Sequence, residues 1–217
     1  LTGRTFMGSF FRDISPSGEV IWDGNLTATR IDNFDVRWEV FQPSGQTISA
    51  GAFYKQFDRP IEMVQYVQAP SNFQPRNVGE GRTYGLEFEL RQNLGIVSAA
   101  LENLSLSTNI TLTRSRIEMT ATEYDSRVLN ARENEIIKST RAMAGQAPYV
   151  VNAGLSYKGG RNGLEAGIFY NVQGETLRFV GIADKPDVFS VPFHSLNFNA
   201  TKYFGKDERL QLGVNVV

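Results

Sequence analysis

The chain has 217 residues, 21% of them charged, with a formal net charge of -1, one histidine (His194) and no cysteine. A balance this close to neutral gives no basis for nucleic-acid binding, which needs a basic excess. Without cysteine there is neither a disulfide framework nor a thiolate metal site, and one histidine argues against a histidine-based metal or catalytic cluster.

No apolar run reaches the length of a transmembrane helix, and no signal peptide opens the chain. Neither fact excludes a membrane barrel. Barrel strands of about 9–11 residues alternate their faces, which leaves average hydropathy ordinary.

Leu1 to Ile14 has room for an incoming strand end, Ser15-Pro16-Ser17-Gly18 is a turn signal, and Glu19 to Arg30 reads as a loop with a short strand. The first clear strand sets Phe34, Val36, Trp38 and Val40 against Asp35, Arg37 and Glu39. A period of two over this length marks a strand with different surroundings on its two sides. Pro43-Ser44-Gly45 turns the chain, because proline presets φ and glycine permits positive φ. The second strand sets Ile48, Ala50, Ala52 and Tyr54 against Ser49, Gly51, Phe53 and Lys55. Ile61 to Val67 reads as a prolongation of it, and Ala69 to Gly81, with Pro70 and Pro75, as a long excursion.

A third strand near Arg82 to Arg91 opposes Tyr84, Leu86, Phe88 and Leu90 to Glu87, Glu89 and Arg91. Asn93 to Ala100 is a short connector. The fourth strand opposes Leu104, Leu106, Ile110 and Leu112 to Ser105, Ser107, Asn109, Thr111 and Thr113. A helix would scatter those apolar residues around its circumference. Glu118 to Gly145 is a long polar loop, with a short helical turn expected within Asn130 to Ala142.

Tyr149 to Tyr157 is a fifth strand, and Leu164, Ala166, Ile168, Tyr170 and Val172 stripe a sixth opposite Glu165. Lys158 to Asn162 is a tight turn between them. After an excursion over Gly174 to Pro192, Leu196, Phe198 and Ala200 mark a seventh strand. A turn at Gly205 to Arg209 leads to the eighth, with Leu210, Leu212, Val214 and Val216 on one side.

Short turns thus alternate with long excursions, as in up-and-down outer-membrane barrels. The apolar faces carry no charge in their central spans, and Tyr54, Tyr84, Tyr157, Tyr170 and Tyr203 lie near strand ends, where interfacial girdles sit. A soluble β-sandwich with the apolar face as its core explains the alternation equally well. It explains strand length and loop sorting less well.

The stretch GNL, IDNFDVRWEVF and SAGAFYKQFDRPIE (Gly24 to Glu62) resembles the late-barrel segment of TonB-dependent outer-membrane receptors. That family carries GNP-x-L, then NYD-L-R-W/Y-E, then G-x-FYK-x-x-x-PIE. GRTYGLEFELRQNL, LENLSLSTNITLTRS, APYVVNAGLSY, HSLNFNATKYFG and LQLGVNVV follow in the family's order to Val217, and Leu26 stands where the family has a proline.

The resemblance implies an all-β, antiparallel up-and-down transmembrane β-barrel segment, about eight strands of a twenty-two-stranded plugged barrel. Residues 1–32 would form a loop and partial strand and residues 33–217 the barrel strands, with the N-terminal plug and last strand absent. It also implies active import of a scarce nutrient such as an iron–siderophore complex across the outer membrane of a Gram-negative cell, energised by the TonB complex through the plug. The FYK and PIE details look more like the siderophore and carboxypeptidase-regulatory-like branches than the SusC-like glycan or peptide importers. A non-transporting scaffold barrel, with a surface lipoprotein or larger assembly as partner, is a further alternative. Outer-membrane lipid or lipopolysaccharide would surround the wall. No cofactor and no catalysis are expected.

The charged face (Asp35, Arg37, Glu39, Lys55, Glu87, Glu89, Arg91 and Glu165) would then face the lumen or plug. Ordinary salt bridging is the plainer account of most of these charges. Paired carboxylates such as Glu87 and Glu89 belong to a repeated alternation, which speaks against an acid–base pair. Binding is expected on the excursions, which carry recognition in such proteins. Their candidates are Tyr66, Phe73, Arg76, Tyr124, Arg127, Arg132, Arg141, Arg178 and Phe179. Aromatic rings and cations suit an anionic iron chelate through stacking and charge-assisted hydrogen bonds.

Overall fold

A computed structural model describes residues 13–14, 20–22, 24–42, 45–65, 72–160, 163–182, 185–205 and 210–217. The turn positions expected at 15–18, 43–44, 161–162 and 206–209 lie outside the described residues, as do Tyr66 and Pro70.

A short pair, β1 (Asp13–Ile14) and β2 (Val20–Trp22), precedes the hairpin of β3 (Arg30–Gln42) and β4 (Gln46–Asp58). A small hairpin, β5 (Ile61–Gln65) with β6 (Phe73–Asn77), leads to β7 (Gly81–Asn93) and β8 (Leu104–Glu118). Helix α1 (Ala121–Leu129) and β9 (Thr140–Arg141) follow, then β10 (Tyr149–Gly159) and β11 (Leu164–Gln173). A second small hairpin, β12 (Thr176–Phe179) with β13 (Val188–Ser190), precedes β14 (Phe193–Phe204) and β15 (Leu210–Val216).

The eight long strands form one antiparallel sheet in the order β15-β14-β11-β10-β8-β7-β4-β3, with β9 added beside β8. All eight strands expected from alternation are present, each beside its neighbour in sequence.

Residues directly opposite in an antiparallel ladder share a face, so the register tests the face assignments. One row reads Trp38, Ala50, Phe88, Ile110, Val151, Val172, His194. The next, on the other face, reads Glu39, Ser49, Glu89, Asn109, Asn152, Asn171, Ser195. The row from Gln42 at the short-turn end of β3 passes through Leu106, Leu155 and Ile168 to Phe198 in mid-β14. Rows therefore climb toward the long-loop end, the stagger that tilted barrel strands require.

The apolar face is bare. Val36 is 76% exposed, Trp38 59% and Leu86 45%. Between the tyrosine row (Tyr54, Tyr84) and the short turns it carries only apolar and tyrosine side chains and Thr108, apart from His194 at the start of β14, glutamines at 42, 46 and 92, and Lys202 at the short-turn end. On β8 this band runs from Leu104 to Leu112. Those eight steps (112 − 104) cover roughly 27 Å along the strand, or about 20 Å along the normal of a barrel tilted by ~40°. Tyr54, Tyr84, Tyr157 and Tyr170 lie on this face. Tyr203 does not: it opposes Gln211 on the polar face, because β14 alternates through Lys202 and Phe204 instead.

Buried apolar packing lies elsewhere. Val64, Val78, Ile117, Met143, Leu177 and Val180 form one cluster, built from the three excursions and the end of β8. Ile117 shares the polar face with Thr83 and Ser115, and Met143 lies against both: its N–H donates to Ser115 Oγ at 3.1 Å and Thr83 Oγ1 points at its sulfur. The excursions thus fold over the polar face and leave the apolar face uncovered.

Two local expectations are corrected. The helix lies at Ala121–Leu129, ahead of 130–142, because Thr120 caps it by accepting from Glu123 N–H and Asn130 ends it. Ile61–Gln65 does not prolong β4: Arg59 at φ 52° and Pro60 break the ladder, and the strand pairs with β6. The connector after Asn93 is two 3₁₀ turns, Leu94–Ile96 and Ala99–Leu101, capped by Asn93 and Ser98. Gly45 has φ +76°, as the turn after β3 requires.

Gly85 opposes Phe53, whose ring lies over it on the polar face. A Cβ at Gly85 would stand 2.5 Å from Phe53 Cζ and closer still to the carbonyl oxygen of Leu112. Gly85→Ala is therefore expected to destabilise the sheet by about 1–3 kcal/mol, the usual penalty for overpacking. A urea titration of the purified protein in detergent checks it, and an unchanged midpoint would refute the close packing.

Candidate functional site

The three excursions meet above the polar face through a chain of buried charges. Thr120-Ala121-Thr122-Glu123 has the spacing of a capping box, but the Glu123 carboxylate turns away from the cap toward two arginines. Arg141 Nε donates to Glu123 Oε1 at 2.5 Å, and Nη2 to Oε2 at 3.2 Å. Arg127 Nε reaches the same Oε1 at 3.2 Å, one helical turn along α1. Arg127 also makes a two-pronged contact with Asp187, 2.7 Å and 3.1 Å, which ties the helix to the segment before β13. Asp187 Oδ1 in turn accepts from Gly181 N–H.

At the other end of the chain, Arg141 Nη2 lies 2.7 Å from Glu62 Oε2. That contact is close but poorly aligned for a hydrogen bond, so attraction between charges is its main content. Glu62 Oε1 accepts from Ala144 N–H at 2.6 Å. The side chains of Glu62, Glu123 and Arg141 are 2%, 5% and 7% exposed. Burial pulls the Arg141 pKa down, but the Glu123 hydrogen bonds and the charges of Glu62 and Glu123 more than reverse this and raise it above its ordinary value.

Backbone contacts reinforce the junction. Val180 bridges to Val64 in parallel, with Gln65 N–H donating to Val180 C=O and Val180 N–H to Met63 C=O. Gln65 Oε1 accepts from Ile182 N–H. Phe73 and Phe179 stack at 4.5 Å between ring centroids, which joins the two small hairpins again.

The structure separates the nine loop candidates. Arg127 and Arg141 are engaged inside the cluster, and Arg76 is buried beside a cavity of about 80 Å³ also lined by Asn77, Thr120, Glu123 and Ile182. Arg132 and Arg178 are exposed, with Arg178 Nε donating to Ser190 Oγ. Phe73, Phe179 and Tyr124 lie at the accessible rim of the cluster. Tyr66 lies outside the described residues. Glu62 and Asp187, which complete the charge chain, were not among the candidates, because nothing in the chain order pairs them with residues 60–80 positions away.

The eight charged strand residues all fall on the polar face, by register. Arg37 Nε meets Glu39 Oε1 at 2.6 Å and its Nη2 meets Glu89 Oε2 at 2.9 Å, across three strands. Lys158 and Glu165 oppose each other at 3.2 Å. Beside them runs an uncharged ladder of Asn109, Asn152 and Asn171, with Asn171 donating to Asn152. Among the described residues no three His, Cys, Asp or Glu side chains come together as a metal site. The geometry presents a polar wall below and a braced loop cluster above it, with aromatic and cationic side chains at the rim.

Comparison with known proteins agrees with this geometry. Solved structures similar to the chain include the copper transporter OprC (16% identity, TM-score 0.60) and the ferric-catecholate import receptor Fiu of E. coli K12 (10%, 0.58). The ferric enterobactin receptor PfeA of Pseudomonas aeruginosa is another (14%, 0.52). Matches to these three cover 95%, 93% and 89% of the chain but 27%, 25% and 26% of the structures, so the chain spans about a quarter of their length. No curated protein matches it. The model of the TonB dependent receptor-like β-barrel family matches residues 2–216, and the chain belongs to that family.

Proposed function

We propose that the chain is part of the barrel wall of an outer-membrane receptor that imports a scarce nutrient, an iron–siderophore complex first among them, energised by TonB. In this reading residues 33–217 supply wall strands and residues 1–32 a loop and partial strand of a longer, plugged protein. The observation that carries it is the asymmetry of the sheet. One face is apolar, free of charge through its middle and bare, while every excursion folds over the other, polar face. A lipid-facing wall with a hydrated lumen requires this arrangement, since lipid leaves the outer side dry and loops above the polar face can meet a solute entering the lumen. Neighbours named for ferric enterobactin, ferric catecholate, ferric citrate and copper support a metal complex as cargo. The rim rings and arginines suit the anionic, aromatic chelators that carry iron.

The test is made in the native bacterium. The protein should fractionate with the outer membrane, and deleting either its gene or tonB should abolish accumulation of radiolabelled iron from one ferric chelate among catecholate, hydroxamate and citrate types. A soluble-fraction protein would overturn the wall assignment. Unchanged uptake of all three chelates in the gene deletion would overturn the cargo.

A further inference from the structure

We propose that Arg82, Arg114 and Arg116 form a site on the outward wall for the phosphates of a glycolipid headgroup. The proposal rests on the lipid-facing assignment of the apolar face.

Arg82 and Arg116 oppose each other directly across β7 and β8, and Arg114 opposes Tyr84 one row below. All three are exposed and lie on the same side as Leu86, Phe88, Ile110 and Leu112. Like charges placed opposite in a ladder repel. Among the described residues none of the three side chains has an ion-pair or hydrogen-bond partner, in contrast to Arg37 on the polar face and to Arg127 and Arg141 in the loop cluster. No direct contact within the protein therefore offsets the repulsion. Missing neighbours do not explain it: Gln56 of β4 lies beside Arg82, and Pro148, Met143 and β9 lie beside β8 at Thr113, Ser115 and Ile117.

Position and shape indicate what compensates it. The pair stands two residues beyond Tyr84, about 7 Å along the strand, which is where headgroups follow a tyrosine belt. The excursions turn toward the polar face and leave this side open. A recess of about 170 Å³ lies between Tyr54, Gln56, Arg82 and Arg116, with Glu80 and Glu118 also on its wall. Those two carboxylates would repel a purely anionic ligand. They and Gln56 can instead accept from hydroxyls, while the guanidinium groups take phosphate oxygens. A phosphorylated sugar on a lipid anchor supplies both. Phosphate alone leaves the carboxylates unmatched, and a glycerophospholipid headgroup brings a single phosphate to three guanidinium groups.

The intact protein, extracted from outer membranes and placed in nanodiscs, allows the test. Native mass spectrometry would compare retention of bisphosphorylated lipid A, fully dephosphorylated lipid A, phosphatidylglycerol and inorganic phosphate. Wild type is expected to prefer bisphosphorylated lipid A. The triple variant R82Q/R114Q/R116Q should bind it at least roughly tenfold more weakly, about the loss of one charge-assisted contact set. The loop variant R132Q should match wild type.

Equal binding of phosphorylated and dephosphorylated lipid A by wild type overturns the proposal without any variant. Equal preference for phosphatidylglycerol or free phosphate overturns the glycolipid assignment. Either result from a protein recovered in the outer membrane leaves the wall reading standing. A protein absent from that membrane removes both.

Discussion

Replacing Arg141 with methionine is expected to loosen the loop cluster while the eight-stranded sheet persists. Arg141 is the one cation between the Glu62 and Glu123 carboxylates, and all three side chains are almost fully buried. Removing one member of such a set leaves uncompensated charge in a low-dielectric setting, a loss of about 3–5 kcal/mol. The loss is local, because only the two-residue β9, which carries Arg141, joins the trio to the sheet, and the ladders between the eight long strands do not involve it. Hydrogen exchange in the intact protein should therefore speed up over Ile61–Gln65, Ala121–Leu129 and Thr176–Phe179, with β7, β8 and β10 unaffected.

Neutralising the acids in the same background (E62Q/E123Q/R141M) should recover much of the protection, since the penalty lies in unpaired charge more than in lost attraction. The cation itself offers no pH switch. Its folded-state pKa is raised, so its contribution is complete below the unfolded value and would fade only as pH rose through the still higher folded value, far into alkali. Unchanged exchange in R141M would mean that the apolar cluster alone holds the excursions together.

The sheet was readable because its pattern is local. Alternation at period two names the face of every residue once the strand is recognised, and the register agrees from Phe34 to Val216. Tyr203 differs because nearness to a strand end does not decide a face; alternation counted on from Ala200 places it on the polar one. The helix was displaced because a polar, charged segment hides its start, although Thr120 and Glu123 hold the capping-box spacing.

The loop cluster was legible only as a list of residue types. Arginines were expected at a ligand surface, yet what Arg127 and Arg141 touch depends on how three excursions, far apart in sequence, fold inward together. Arg141 and Arg178 look alike in the sequence; one is buried between carboxylates and the other lies exposed. The same inward folding leaves one face of the sheet bare, the side that the proposed function gives to lipid, a choice that alternation leaves open.

That choice has a direct energetic consequence at Ile110 and Thr111, adjacent residues of β8 on opposite faces. Ile110 lies between Phe88 and Val151 in the middle of the bare apolar face, and Thr111 between Glu87 and Val150 on the polar one. If the apolar face meets hydrocarbon, Ile110→Arg places a guanidinium near the midplane, at a cost of about 2–4 kcal/mol. The folding equilibrium into vesicles should then fall by at least roughly thirtyfold, since each 1.4 kcal/mol is a factor of ten. Thr111→Arg enters a hydrated lumen beside the Glu87 carboxylate, where cross-strand attraction offsets crowding, and its change should stay within about 1 kcal/mol.

The penalty should also fade with depth. Leu112→Arg, one outward position nearer the native Arg114, should cost less than Ile110→Arg, because lipid-face charges become tolerable toward the interface. Urea titrations of the intact protein refolded into phospholipid vesicles measure all three variants against wild type. Thr111→Arg proving the costly one would invert the faces. Equal losses at Ile110 and Leu112 would remove the depth gradient that a bilayer imposes on the apolar face.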